Sequence, residues 1–218
     1  MNSASIDNIQ QWGQTLRLLV ELAGTAAFAL SGVLEAAQKR LDAVGVCVVG
    51  FLAAFGGGTL RDLLLDARPF FWVRHTEMLW GVLALCALAM LFMRRHHFQL
   101  TRKAIEWPDA LGLGLFTATG VHQALMSGLP ALVAVLMGLI TGVFGGVLRD
   151  IVCNEIPTAF SDHRPYAVCA FIGGWAYVGL WTLGAPGWLD LLACILLTAG
   201  LRGLAMWRNW QLPAWQVD

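Results

Sequence analysis

The sequence predicts an all-α integral membrane protein of seven transmembrane helices, a 3+3 inverted repeat plus one extra helix, with helices 2 and 5 kinked at glycine motifs. Three observations predict it: the composition, the number of apolar runs, and a self-match at a fixed offset. Of 218 residues, 58% are hydrophobic and 13% charged, and the mean hydropathy is +0.66. A soluble domain carries roughly 25% charged residues, so this chain lacks the polar side chains to cover a globule in water. The basic and acidic residues balance at 14 each, which leaves no electrostatic footprint for nucleic acid.

Seven stretches are long and apolar enough to cross a bilayer: 16–37, 41–66, 77–93, 107–126, 129–154, 165–184 and 187–206. The first carries Glu21 and follows a polar stretch without a basic n-region, so it is expected to remain as a span rather than be cleaved as a signal peptide. Lys39–Arg40, Ser127–Gly128 and Gly184–Ala185–Pro186 are the connections between helices 1 and 2, 4 and 5, and 6 and 7. Linkers this short make antiparallel hairpins. The runs are continuous rather than alternating, which means helices and not a barrel. The whole chain, 1–218, reads as a single membrane domain.

Loop charge gives the orientation. Lys39, Arg40, Arg94, Arg95, Arg102, Lys103, Arg164 and Arg208 fall on one side, and Arg17, Arg68 and Arg74 on the other. The positive-inside rule then puts the N-terminus outside and the C-terminus in the cytoplasm. Trp12, Trp72, Trp80, Trp107, Trp181, Trp188, Trp207, Trp210 and Trp215 lie near span ends, as an aromatic belt requires. The five cysteines are scattered singly and read as small hydrophobes. The basic cluster from Arg94–Arg95 to Arg102–Lys103 sets topology and offers membrane lipid headgroups a contact.

At an offset of 88 residues, GGTLRD at 57–62 meets GGVLRD at 145–150, and 14 of the 46 positions from Gly24 to Pro69 are identical without a gap. The chain is therefore a duplication: helices 1–3 over 16–93, helices 4–6 over 107–184, and helix 7 over 187–206 outside the repeat. An odd number of crossings per copy turns the copies opposite ways in the membrane, a plan common in transport proteins.

Chemistry concentrates in helices 2 and 5. Gly56, Gly57 and Gly58, and Gly145 and Gly146, pack no side chain and weaken a helix. They are expected to kink or break it beside a polar path, with close helix crossing as the alternative. Arg61–Asp62 and Arg149–Asp150 follow one turn later. Charges at membrane depth need partners or water. Neighbours on a helix diverge by about 100°, so each is expected to find its partner on another helix. The two pairs read as charge at the two ends of one conduit, or as cross-bridges pinning the copies together. Further polar groups within spans are Glu21, Glu35, His122, Gln123, Asp190 and Arg202. Glu35 is expected to pair with Lys39 at i+4. Glu21 and His122 are secondary site candidates, His122 as a group that titrates near neutral pH.

GGGTLRD in helix 2, GGVLRD in helix 5, FALSG at 28–32 and the 3+3+1 plan resemble the trimeric intracellular cation (TRIC) channel family, in its bacterial branch that overlaps the glycine-transporter domain family. The resemblance covers about Leu16 to Met206. It implies a homotrimer in the inner membrane with a pore in each protomer, lined by helices kinked at Gly56, Gly57, Gly58, Gly145 and Gly146. Phe144 stands where a third glycine would complete the second motif, which narrows the path. Passive conduction of a monovalent cation, K+ foremost, is the leading expectation. Carriage of glycine or another small neutral amino acid is the alternative, with Arg61 or Arg149 meeting the carboxylate. A non-transporting scaffold is the third. No nucleophile, metal set, phosphate loop or cofactor motif points to an enzyme, a metal or a cofactor.

Overall fold

The computed structural model describes residues 3–95 and 102–213, and nine helices lie among them. They are α1 (Ser3–Gln38), α2 (Ala43–Leu64), α3 (Phe71–Arg74), α4 (Thr76–Arg95), α5 (Arg102–Met126), α6 (Ala131–Val152), α7 (Thr158–Ser161), α8 (Ala167–Thr182) and α9 (Gly187–Arg208). Residues 96–101, between the two halves of the Arg94–Lys103 cluster, and Trp215 lie outside the described residues. The chain is an all-helical membrane protein.

The expected seven spans correspond to α1, α2, α4, α5, α6, α8 and α9, but they are not alike. Gly13–Gln38 of α1 and the whole of α2, α6 and α9 are long and apolar enough to cross a membrane, while Thr76–Phe92 and α8 are shorter apolar helices. Helix α5 is long but polar, with Asp109, Thr117, Thr119, His122 and Gln123. It tolerates these because its neighbours are protein: residues 112–121 are buried without interruption on every side, among α1, α6, α8 and α9. Its repeat equivalent α1 keeps one face open, because α9 packs chiefly on α5 and α8.

Local chemistry sets the ends. Asp42 accepts a hydrogen bond from the Gly45 N–H at 2.8 Å and caps α2. Prolines precede the first turns of α6, α7 and α9, where a missing N–H costs nothing. The hairpins after α1, α5 and α8 turn on left-handed Arg40, Gly128 (φ +75°) and Gly184 (φ +74°). Each is closed by a backbone bond five residues back, Leu41 N–H to Ala36 O, Leu129 to Ala124 and Ala185 to Leu180. Helices α2 and α6 end in the same way on left-handed Asp66 and Asn154, which are 88 residues apart.

Candidate functional site: two arginine clusters and a glycine crossing

Helices α2 and α6 run as unbroken helices through their glycines, so short breaks are absent, and the glycines sit where the two helices cross closely. A Cβ on Gly57 would stand 2.0 Å from the Thr141 carbonyl oxygen, and one on Gly145 would stand 2.4 Å from that of Ala53. Only glycine permits backbones this close. The contact is reciprocal, because Thr141 is Ala53 moved on by 88 and Gly145 is Gly57 moved likewise. The same exchange links α1 with α5, where Gly24 lies against the Phe116 ring and Gly112 against that of Phe28. The two rings meet with centroids 5.4 Å apart. Contacts exchanged in this manner are what a two-fold relation between the copies produces.

The remaining motif glycines have separate tasks. Gly58 admits the Phe71 ring of α3, 2.2 Å from a Cβ placed there, and Gly56 faces Leu148 at 2.6 Å. Gly146 lies beneath Asp109 and Tyr166, both 3.3 Å from a Cβ position. Phe144, the repeat counterpart of Gly56, is half-buried.

One turn beyond the crossing each arginine is buried, Arg61 at 1% exposure and Arg149 at 2%. Contrary to the expectation from helix angles, each bonds its own neighbour: Arg61 Nε donates to Asp62 and Arg149 Nε to Asp150, both at 2.8 Å. The guanidinium is long enough to fold back over the turn. The other oxygen of each aspartate caps a short helix that sequence reading missed. Asp62 accepts from Phe71 N–H (2.7 Å) at α3, and Asp150 from Thr158 N–H (2.8 Å) at α7. Each arginine also reaches a carboxylate of the preceding long helix in its own copy: Arg61 to Glu21 on α1 at 2.9 Å, Arg149 to Asp109 on α5 at 2.7 Å. Glu21 and Asp109 are themselves 88 residues apart. That offset was the signal that finds Asp109, which reading helix by helix passes over.

The two clusters lie at opposite ends of the bundle and differ in completeness. Arg149 also donates to Ser31 of α1, which ties the copies together, and Tyr166 O–H donates to Asp109 at 2.7 Å. At the Arg61 end, Met78 occupies the position equivalent to Tyr166, and Arg61 instead lies 5.2 Å from the Phe71 ring centroid. A cavity of about 670 Å3 opens beside Arg149 and Asp150. Its lining holds six carboxylates (Glu35, Glu106, Asp109, Asp150, Glu155, Asp162) against four basic groups (Lys39, Arg102, Arg149, Arg202).

Lys39 bonds Glu155 across the cavity rim rather than Glu35, which faces the cavity. Arg202 of α9 stacks 4.8 Å from the Tyr166 ring centroid and pairs with Asp162 at 3.2 Å. Arg164, in the loop before α8, pairs with Asp162 and Glu106, both at 2.9 Å. These bonds hold its guanidinium above the ordinary arginine value against the opposing effect of burial. His122 and Asp190 lie in neither cluster: His122 contacts Arg17 and Tyr177, and Asp190 is fully buried in the first turn of α9.

Solved structures share this architecture. A TRIC trimeric intracellular cation channel orthologue from Rhodobacter sphaeroides superposes with a TM-score of 0.83 at 33% identity, covering 89% of this chain and 99% of that one. A prokaryotic TRIC channel superposes with a TM-score of 0.83 at 28% identity, covering 91% and 100%. The fold is thus that of the TRIC cation channels. The model of the family described as "Glycine transporter" matches twice, at residues 18–94 and 106–182, once on each copy. The chain belongs to this family. It is 37% identical to a UPF0126 membrane protein of Vibrio cholerae over 97% of this chain and 88% of that protein. It is 35% identical to the UPF0126 inner membrane protein YadS of Escherichia coli K12, over 91% and 96%.

Proposed function

We propose that the chain is a cation channel of the bacterial inner membrane, a homotrimer that passes monovalent cations, K+ foremost, by a separate route through each protomer. The observation that carries the reading is the cavity of about 670 Å3 ending on Arg149 and Asp150, where six carboxylates meet four basic groups of the lining and Arg164, which pairs with Glu106 and Asp162. A carboxylate surplus inside low-dielectric walls concentrates cations. With the N-terminus outside and the C-terminus in the cytoplasm, this cavity is the inner vestibule and the Arg61 cluster guards the outer mouth.

The copies are oppositely directed repeats, and the reciprocal contacts of Gly57 and Gly145 support that arrangement. Here α2 and α6 touch backbone to backbone, so conduction requires them to part. The bulk of Phe144 at the third-glycine position adds to the constriction, and the Arg61 and Arg149 ion pairs at either end hold it shut. The TRIC channels that share the fold support cation passage.

The family description favours a second reading, carriage of glycine. A carrier needs a cationic group free to meet the substrate carboxylate, and both motif arginines are already committed to carboxylates of the protein. Liposomes carrying the protein separate the two. We expect potassium flux without saturable uptake of labelled glycine; saturable glycine uptake without potassium flux would overturn the channel.

A further inference from the structure

Asp62 and Asp150 start equivalent short helices, but the two helices begin with unlike residues. Asp62 accepts from the Phe71 N–H nine residues on, and Asp150 from the Thr158 N–H eight residues on. Phe70 stands between Pro69 and the first turn of α3, whereas Thr158 follows Pro157 directly. Phe71 and Thr158 are therefore equivalent positions of the repeat, one residue out of the offset of 88. The Thr158 hydroxyl donates to Asp150 at 3.0 Å, and Thr158 lines the vestibule with Asp109, Arg149 and Asp150. Phe71 puts a ring in the corresponding place.

That ring is buried at the end of the bundle opposite the vestibule, at 7% exposure. It lies between α2 and α5, with its centroid 5.8 Å from that of Phe55 and 6.5 Å from that of Phe116. The Arg61 guanidinium stands over it at 5.2 Å. The ring packs onto Gly58, whose counterpart Gly146 faces oxygens of Asp109 and Tyr166 instead. Beside its arginine, the second copy thus offers oxygens and an open cavity, and the first copy offers an apolar ring. Such a surface gives a passing cation no replacement for its water, and apolar constrictions close by dewetting. Two side-chain bonds fix the ring in place: Asp62 accepts from Phe71 N–H at 2.7 Å, and the Trp72 indole N–H donates to the Thr59 hydroxyl at 3.0 Å.

We propose that Phe71 is a hydrophobic plug that closes the entrance opposite the vestibule. The vestibule is open because threonine holds the same position in the second copy. The plug rests on the reading above that a route runs through each protomer.

Liposomes carrying wild type, Phe71→Ala, Phe71→Leu or Val33→Ala, each given tracer potassium and labelled glycine, test the plug separately from the choice of permeant. Phe71→Ala is expected to raise entry of the permeant by at least about fivefold, and Phe71→Leu by a smaller factor of at least about twofold. Val33→Ala trims a side chain that is 0% exposed and packs on Gly50, away from the ring, and is expected to leave the rate unchanged. Should Phe71→Ala not assemble, Phe71→Leu decides. Equal potassium flux in wild type and the Phe71 variants overturns the plug and leaves the channel standing, as does a rise in Val33→Ala that matches theirs. A rise in saturable glycine uptake without potassium flux keeps the plug and overturns the channel. Entry of neither permeant, with or without the ring, overturns both.

Discussion

Arg149 and Asp109, at 2% and 4% exposure, form a buried ion pair, and Arg149 keeps only Asp150 and Ser31 when Asp109 is removed. Removing one side of a buried pair costs up to about 3–5 kcal/mol, because the remaining charge loses a partner where its own side chain is poorly solvated. Asp109→Ala is therefore expected to lower the thermal midpoint of the detergent-solubilised protein steeply. Glu21→Ala at the other cluster is expected to cost less, because the Glu21 side chain is 15% exposed and water reaches it. Equal losses would refute the inequality of the two ends. Glycines divide in the same fashion. Gly57→Ala drives a methyl against the Thr141 carbonyl and is expected to cost about 1–3 kcal/mol. Gly179→Ala on α8 meets nothing within 4 Å and is expected to gain up to about 1 kcal/mol from helix propensity. Stability curves for the two variants check the pair.

Between elements, the α2–α6 crossing is one contact seen from two sides. Once Gly57→Ala has forced the helices apart, the methyl of Gly145→Ala enters space already made. The double variant is therefore expected to lose clearly less stability than the two single losses added together. Strict additivity in chemical denaturation would mean that the two glycines do not share a contact. This crossing also shows where sequence reasoning stops. Runs of glycine beside Arg-Asp mark a close backbone approach and a buried charge, and both are present at the marked residues. Whether glycine loosens a helix or lets a second helix in depends on what lies opposite. Here that is the Thr141 and Ala53 carbonyls, far away in the chain. The short helices α3 and α7 were hidden for a similar reason: four residues carry no periodicity, and what starts them is the Asp62 or Asp150 carboxylate several residues upstream.

Across the whole molecule, the orientation is open to a direct check. Cysteine placed at position 185, in the α8–α9 turn, is expected to react with a membrane-impermeant maleimide on intact cells, and cysteine at position 38 only after permeabilisation. The opposite pattern would invert the vestibule and place it outside. The sequence by itself determined that the chain is an all-helical membrane protein, that it matches itself at an offset of 88, and where its paired glycine and Arg-Asp motifs lie. Composition, apolar run length and self-similarity are properties of the chain alone, and no folding is needed to read them. Only the tertiary structure decided how the charges are partnered: Arg61 with Glu21, Arg149 with Asp109 and Ser31, Tyr166 with Asp109. It alone also decided why α5 can be polar. Partners of a buried charge are chosen by distance in space, and a helix wrapped by other helices is released from the demand for apolarity that lipid imposes on an exposed one.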